Sequence, residues 1–333
     1  MQNEQAVRRP GTSALATHRH VFRLSDAEPY QYRQAFLHRA LSYVRSRSVT
    51  LASVENYRDQ LHQKRIQAYA GSLSPLSRSH DHKVVDTLTR DGICITSLAE
   101  LGLDFDYKLK SALGSLCDDL QGQFVPEDKF VARATPAQIL QVPGLMMWGL
   151  QSRMLQLVEH YLQLPAAYHG VRVRRDLCNL VENVSRCWHF DLEDDRVLKV
   201  IIYLHDVDES LGPFQYLDLD DTQRVRQRLN YRIGYLNSDL VDSVVPAPRW
   251  RSAVGKAGTV VLVDTARLVH RGKRPEAADR YTVFFDYTSR QPKRPYYCNN
   301  VLTSEAFIQF ASTLSEDQLP YIFWRGVPPQ LER

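Results

Sequence analysis

Apolar residues recur at the spacing of an amphipathic helix through the first half of the chain. Between residues 107 and 120, for example, Leu109, Leu113, Leu116 and Leu120 fall on one face. Such stripes are typical of helices that pack on a core. The predicted helices cover residues 25–48, 51–70, 84–92, 107–120 and 144–162.

The pattern changes after Pro165, where short β-rich segments alternate with turn signals such as Leu211-Gly212-Pro213. Helices followed by strands indicate an α+β fold whose second half is a β-sandwich or barrel. A last helix is predicted near 303–314. The predicted strands cover residues 93–96, 171–174, 181–191, 197–204, 214–217, 260–264 and 281–287.

Two polar stretches divide the chain further. Residues 71–82 have linker composition, so we expect an N-terminal helical extension over 1–78 and a main domain over 79–333 that ends with the C-terminal helix. Residues 218–256 form a long polar insertion in the main domain. Insertions of that length are usually binding loops or lids.

Composition narrows the class of protein. With 333 residues, of which 44% are hydrophobic, the chain has material for one large core. Its 5 cysteines are odd in number and lack a CxxC spacing, which favours a reducing compartment over a disulfide framework. No apolar run approaches the roughly 20 residues that span a bilayer, and the polar segment Met1 to Pro10 predicts no secretory signal. We therefore expect a cytoplasmic protein without a transmembrane segment.

The net charge of +4 is unevenly distributed. Residues 1–80 hold 12 Lys and Arg against 5 Asp and Glu, a balance of +7 that leaves −3 for the rest of the chain. Such a basic face either meets an acidic partner, a nucleic acid or an anionic lipid, or is a solvated helix surface. The segment contains no nucleic-acid motif, so we expect no nucleic-acid partner.

The segment 187–191, with the sequence CWHFD, carries the candidate chemistry. Side chains alternate along an extended strand, so His189 and Asp191 point to the same side. A second imidazole from a distant strand would complete two histidines and one carboxylate, the ligand set of Fe(II) sites that keep three positions open. His270 follows an apolar segment whose alternation directs it inward. His189, Asp191 and His270 are therefore the candidate catalytic and metal-binding residues.

Arg280 is the candidate anchor for a cosubstrate. It follows His270 by ten residues and begins another predicted strand, where a buried cation is costly unless it is paired. A dicarboxylate cosubstrate bound through the fork of the guanidinium would supply the partner. Thr282 lies on the same strand face and could join this clamp. Lys199 and Tyr203 share one face of the strand predicted over 197–204, which follows the ligand segment in sequence. They either contact cosubstrate or substrate, or only pack there.

Several other clusters have a plainer interpretation. The spacings in the segment 205–208 (HDVD) do not put its histidine and an aspartate on one strand face. His18-Arg19-His20 and His80-Asp81-His82 lie outside the predicted strands, and we expect surface loops there. Four arginines of the polar insertion either bind an anionic substrate or form a solvated helix face. They are Arg224, Arg226, Arg228 and Arg232.

Taken together, residues 83–290 resemble the phytanoyl-CoA dioxygenase family of Fe(II)- and 2-oxoglutarate-dependent oxygenases. The resemblance implies a double-stranded β-helix, the cupin-like jelly roll, flanked by helices. It implies that His189, Asp191 and His270 bind Fe(II) and that Arg280 pairs with the distal carboxylate of 2-oxoglutarate. It also implies that turnover with O2 converts 2-oxoglutarate to succinate. The motifs that carry it are LTRDGICIT, Trp188-His189-Phe190-Asp191, YLHDVDESLGPF, and His270 with Arg280-Tyr281-Thr282.

The chain departs from the family pattern at two places. The Pro-Gly-Ser-His run that often follows the Gly-Pro turn is missing, since Gly212-Pro213 leads into Phe214-Gln215-Tyr216. Gly272 stands where several members carry a hydroxyl that helps to hold the cosubstrate. Neither change removes a ligand. Asp191 favours hydroxylation, because related halogenases leave that position to chloride.

The sequence thus predicts a dioxygenase that hydroxylates, or otherwise oxidises, an unactivated C–H bond of a small or medium-sized metabolite. One alternative is a non-catalytic jelly-roll binding or regulatory protein. Another is a cupin-like metalloenzyme that does not use 2-oxoglutarate, and Arg280 argues against it because little else would explain burying that cation. The sequence carries no indication of oligomeric state.

Overall fold

The structure is a computed structural model that describes residues 52–300, 302 and 304–325. The chain separates into two units, Met1–Glu55 and Asn56–Arg333. The architecture below is that of the second unit. The helix predicted over 25–48, the pair His18 and His20, and most of the extension predicted over 1–78 lie outside the described residues.

Helices dominate before residue 165 and strands after it, as the sequence pattern predicts. The helices are α1 (Ala52–Tyr69), α2 (Ser79–Asp91), α3 (Leu98–Leu101), α4 (Tyr107–Gly122), α5 (Pro136–Gln141), α6 (Pro143–Gly149), α7 (Ser152–Leu162), α8 (Leu219–Arg228), α9 (Ser238–Asp242), α10 (Ser304–Ala311) and α11 (Leu319–Ile322). The strands are β1 (Ile93–Ser97), β2 (Val131–Arg133), β3 (Ala166–Asp176), β4 (Leu198–Tyr203), β5 (Phe214–Tyr216), β6 (Arg251–Ala253), β7 (Thr259–Asp264), β8 (His270–Gly272) and β9 (Arg280–Ser289).

Two antiparallel sheets form the framework. The larger sheet has the order β1-β7-β4-β9-β3-β2 and the smaller one β6-β5-β8. An isolated antiparallel bridge between His189 and His270 extends the small sheet beyond β8. From β3 onward the chain alternates between the sheets. It runs from β3 in the large sheet to the bridge at the small sheet, back to β4 in the large sheet, and then to β5 and β6 in the small sheet. It continues through β7 in the large sheet and β8 in the small sheet to β9 in the large sheet. This alternation between two sheets is a double-stranded β-helix, so the α+β fold that the sequence implies is present.

The core lies on both sides of the large sheet. Along β4, Leu198, Val200 and Ile202 pack among the helices, whereas Ile201 and Tyr203 face the interior between the two sheets. The strand β7 is buried along its whole length for the same reason. Each fully buried aliphatic side chain of this kind contributes about 1.5–3 kcal/mol. The interior face of the large sheet is therefore held in place from behind by the helices.

The strand predicted over 181–191 is wrong. The structure has a 3-10 helix over Val184–Arg186, followed by isolated bridges at Trp188 and His189. The buried guanidinium of Arg186 donates hydrogen bonds to backbone carbonyls at residues 177, 179 and 181, so this stretch curls around it. The turn places Val184 at φ +47, a backbone conformation that β-branched residues rarely adopt.

The segment 218–256 is not an irregular loop. It contains α8, α9 and β6, and it packs on the outer side of the small sheet through a cluster that includes Trp188, Val225, Val241 and Val269. Its polar composition comes from exposed helix faces, where Arg224, Arg226 and Arg228 lie. The sequence pattern therefore identified the length of this segment but not its secondary structure.

Two further expectations differ from the structure in the helical layer. The helix predicted over 144–162 is two helices, α6 and α7, which meet at residues 150–151. His80-Asp81-His82 begins α2 instead of lying in a loop, and Asp81 is buried in a two-pronged ion pair with Arg153. Among residues 52–300 and 304–325, none of the helices is both long enough and apolar enough to cross a membrane.

Candidate metal and cosubstrate site

Two neighbouring side chains, His189 and Asp191, meet a third from a distant part of the chain, His270, at the small sheet. One ligand atom each from His189, Asp191 and His270 lies within 4.8 Å of the other two. Nε2 of His189 is 4.0 Å from Oδ1 of Asp191, and the two imidazole centroids are 4.3 Å apart. The structure thus brings together the three residues predicted as ligands.

Backbone hydrogen bonds explain this convergence. The amide of His189 donates to the carbonyl of His270 at 2.9 Å, and the amide of His270 donates back at 2.8 Å. Residues paired in this way across antiparallel strands point their side chains to the same face. The amide of Asp191 donates to the carbonyl of Thr265 at 2.8 Å, which fixes the carboxylate beside the imidazoles.

A side-chain hydrogen bond to a backbone carbonyl sets the tautomer of each imidazole. Nδ1 of His189 lies 2.9 Å from the carbonyl oxygen of Cys187, and Nδ1 of His270 lies 3.0 Å from that of Leu268. A carbonyl only accepts, so each Nδ1 carries the proton and donates it. Each Nε2 is then left as a lone-pair donor, which is the form that binds a metal.

The charges of these groups suit a cation. Burial lowers the pKa of His270 to about 3, with a smaller contribution from His189, and burial also lowers the pKa of His189. Burial by itself would raise the pKa of Asp191, but Lys199 and the two histidines hold it well below its usual range. Near neutral pH the cluster therefore offers two neutral imidazoles and one carboxylate, a donor set that fits Fe(II).

A second cluster within the described residues, formed by His62, Asp194 and Asp195, is a structural network instead. Its ligand atoms also lie within 4.8 Å of one another. However, Lys293 places its ammonium 2.8 Å from Asp195, and Asp194 accepts hydrogen bonds from Ser289 and from the Lys293 amide. Both oxygens of Asp194 are thus occupied by protein donors, so this cluster is held together without a metal.

A cavity runs from the triad into the interior of the β-helix. Its empty volume is about 510 Å³, including space open to solvent. Aromatic and aliphatic side chains line it together with charged and hydroxyl-bearing ones. The lining residues are Arg174, Ser185, His189, Lys199, Ile201, Tyr203, Phe214, Thr265, His270, Gly272, Arg280, Thr282 and Phe284.

Arg280 lines this cavity and is only 3% exposed. Its Nη2 is 3.1 Å from Oδ2 of Asp176. The expectation that a ligand alone would explain the burial of Arg280 is therefore wrong, because the protein supplies a carboxylate. Among the hydrogen bonds of the described residues, Nε and Nη1 of Arg280 and Oγ1 of Thr282 have no partner. Buried donors left without partners are costly, so these three atoms point to a ligand.

The other candidate residues also line the cavity, but their polar atoms already have partners. The Tyr203 hydroxyl donates to the carbonyl of Ala253 at 2.7 Å and accepts from the amide of Phe214 at 3.1 Å. The Lys199 ammonium lies 2.5 Å from Oδ2 of Asp191. Their predicted contact with cosubstrate or substrate stays a prediction.

Two charged residues beside Arg280, Arg174 and Asp176, were not predicted from the sequence. On β3, Arg174 binds Asp176 through Nε–Oδ2 at 2.9 Å and through a second, shorter bond. Arg172, Arg174 and Asp176 alternate on this strand, which pairs with β9. Charged residues at every second position of an otherwise buried strand were the signal that could have found them.

One departure from the family pattern, Gly272, lies close to this clamp. A Cβ atom at Gly272 would be 3.5 Å from Nη2 of Arg280, so a side chain at this position would touch the guanidinium. Gly212 has φ +66, and a Cβ there would come within 2.4 Å of the Lys273 carbonyl.

The segment 205–208 has a structural role. His205 accepts a hydrogen bond from the Tyr281 amide at 3.0 Å, and Asp208 caps a 3-10 turn.

Comparison with known proteins gives similar solved structures. HygX from Streptomyces hygroscopicus, with nickel, 2-oxoglutarate and hygromycin B bound, is 17% identical, and the match covers 64% of this chain and 87% of that chain with a TM-score of 0.43. EctD from S. alaskensis, with 2-oxoglutarate and 5-hydroxyectoine, is 18% identical over 68% of this chain and 86% of that chain, with a TM-score of 0.45. The non-heme α-ketoglutarate-dependent carbocyclase SnoK from nogalamycin biosynthesis is 18% identical over 74% and 92%, also with a TM-score of 0.45. No protein-family model and no curated protein matches the chain. Because the identities and TM-scores are low, the assignment of the site rests on its own geometry.

Proposed function

We propose that this chain is an Fe(II)- and 2-oxoglutarate-dependent oxygenase of the phytanoyl-CoA dioxygenase-like family. It hydroxylates, or otherwise oxidises, an unactivated C–H bond of a small or medium-sized metabolite. The observation that carries the proposal is a single cavity lined by two residues of the triad, His189 and His270, and by Arg280 and Thr282, whose buried donors lack partners among the described residues.

Each part of the cavity has a role in this proposal. When bound, Fe(II) with 2-oxoglutarate and O2 supplies the oxidant, and 2-oxoglutarate is decarboxylated to succinate. Two Nε2 lone pairs and the Asp191 carboxylate hold the metal. Nε and Nη1 of Arg280 and the hydroxyl of Thr282 bind the distal carboxylate through charge-assisted hydrogen bonds. The apolar side chains of the lining lower the local polarity, which strengthens these contacts.

Lys199 would be repelled by a metal ion held at the triad. Its ammonium neutralises Asp191 in the structure, and a dication bound by the same carboxylate would lie beside it. An ammonium displaced from Asp191 would still line the cavity, where it would pair with a carboxylate of cosubstrate or substrate.

Hydroxylation is the outcome that the ligand set favours. Asp191 would take the coordination position that a halide needs, which disfavours halogenation and leaves hydroxylation or another oxidation of the substrate. The exposed arginines of α8 are better explained as a solvated helix face than as a grip on an anionic substrate, because Arg224 is paired with Asp221 at 3.6 Å.

The alternatives explain less of the cavity. A binding protein without catalysis has no use for two neutral imidazoles beside a carboxylate. A metalloenzyme without 2-oxoglutarate is compatible with the Arg280–Asp176 pair, but it leaves Nε and Nη1 of Arg280 unexplained.

The proposal is tested by succinate formation. The purified chain with Fe(II), 2-oxoglutarate and O2 should release succinate slowly even without substrate, and Asp191→Ala should not. Equal succinate release by both proteins, or none from the wild type across a broad panel of metabolites, would contradict it.

A further inference from the structure

We propose that Asp176 is a positioning residue that aims the guanidinium of Arg280 at the cosubstrate carboxylate. This inference rests on the proposed function. It concerns a residue that neither binds the metal nor has an oxygen free for the ligand.

The register of the large sheet puts Asp176 in place. Strands β3 and β9 pair Asp176 with Arg280 and Arg174 with Thr282, so all four side chains share the interior face. Asp176 is 1% exposed. Arg174 occupies both of its oxygens, and Arg280 adds a third contact at 3.1 Å.

This carboxylate fixes the orientation of Arg280. Nη2 is tied to Asp176, which leaves Nε and Nη1 as the donors without partners in the described part of the chain. Two guanidiniums around one carboxylate leave a net charge of +1, so the cluster still attracts an anion. Without Asp176 the two cations would repel each other, and the long Arg280 side chain would regain its rotamer freedom.

The electrostatic state of Asp176 fits this role. Burial by itself would raise its pKa, but Arg174 and Arg280 lower the pKa to about 2. The carboxylate is therefore ionised near neutral pH and pairs permanently with both cations.

An effect of charge alone and an effect on the orientation of Arg280 predict opposite changes in 2-oxoglutarate affinity for Asp176→Asn. Removing a negative charge beside a site for a dianion should tighten 2-oxoglutarate binding if charge alone matters. If Asp176 positions Arg280, binding should weaken, because the amide turns one acceptor into a donor that faces a guanidinium. Asp176→Glu separates the effects further, since it keeps the charge and moves it by one methylene.

The experiment is an anaerobic titration of the Fe(II)-loaded full chain with 2-oxoglutarate, followed by the visible absorption of the chelate. We expect the dissociation constant to rise about tenfold or more in Asp176→Asn and Asp176→Glu. We also expect KM for 2-oxoglutarate to rise while kcat at saturation changes much less, and Fe(II) affinity to stay as in the wild type.

Asp81→Asn is the matched control, because Asp81 forms a buried two-pronged pair with Arg153 outside the cavity. It should lower the melting temperature but leave 2-oxoglutarate affinity unchanged. Equal or tighter binding in the Asp176 variants overturns the positioning role, and the Glu variant decides if the Asn variant does not fold. A wild type that binds no 2-oxoglutarate overturns the proposed function instead.

Discussion

The ammonium of Lys199 lies 2.5 Å from Oδ2 of Asp191, so a protein cation neutralises the carboxylate of the candidate metal triad. A metal ion bound by the triad would lie beside this ammonium and be repelled by it. We therefore predict that Lys199→Met binds Fe(II) more tightly than the wild type, by about tenfold, because the competing ammonium is gone. Anaerobic equilibrium titration with a competing chelator measures the change.

Lys256→Met is the control for that prediction, since Lys256 forms an exposed pair with Asp206 at 2.7 Å. It removes the same charge from the chain without touching the cavity. A Lys199 variant that binds Fe(II) no more tightly than this control would mean that the ion pair does not compete with the metal.

Arg280→Ala should weaken 2-oxoglutarate binding and leave Fe(II) binding largely intact. The substitution removes the two unpartnered donors and leaves Asp176 with Arg174 alone. Loss of a buried charged contact of this kind costs roughly 2–4 kcal/mol, so the dissociation constant should rise about 30- to 1000-fold. Calorimetry with Fe(II)-loaded protein checks it, and Arg175→Ala, which breaks the pair with Asp279, is the comparison. Similar affinity in both variants would show that the clamp is misassigned.

His189→Ala and His270→Ala should abolish turnover without unfolding the chain. Each substitution deletes one metal ligand, while the reciprocal backbone bonds between the two residues persist. Circular dichroism and the melting temperature should therefore stay near the wild-type values, while succinate formation falls to background. Wild-type rates of succinate formation in either variant would refute the ligand assignment.

The buried carboxyl group of Asp264 should make the stability of the folded chain fall as the pH rises from 4 to 6. Its carboxylate is fully buried beside the Tyr161 hydroxyl, and burial raises its pKa from 3.8 to about 6. Because the folded chain holds this proton more tightly than the unfolded chain, the contribution to stability is complete below pH 4. It is lost as the pH rises through 6, by roughly 3 kcal/mol.

The variant Asp264→Asn cannot ionise at that position. The free energy of unfolding of Asp264→Asn, relative to that of the wild type, should therefore increase as the pH is raised from 4 to 7. Denaturant unfolding at a series of pH values measures this difference, with exposed Asp104→Asn as the control. A constant difference between Asp264→Asn and the wild type would show that Asp264 does not titrate in this range.

The sequence predicted the elements whose periodicity is set by burial. Strand β7 is uniformly apolar because both of its faces are covered, and the stripe from Leu109 to Leu120 marks the buried side of α4. The triad could be found because His189 and Asp191 are close in sequence and His270 follows an apolar strand. These are local signals.

What the sequence did not predict depends on contacts between distant residues. The curl before Cys187 follows from the carbonyls that Arg186 binds, and nothing in the local pattern announces it. The pairing of Asp176 with Arg280 requires the register of β3 and β9, which join residues about a hundred positions apart. A buried cation could be recognised from sequence, but its protein partner could not.

The most direct test of the central claim is an anaerobic titration of the metal-free chain, first with Fe(II) and then with 2-oxoglutarate. If the three ligands hold Fe(II) and Arg280 anchors the keto acid, a visible charge-transfer band should appear only when both are present. The band should be absent in Asp191→Ala. A wild-type protein that shows no band under these conditions would contradict the account.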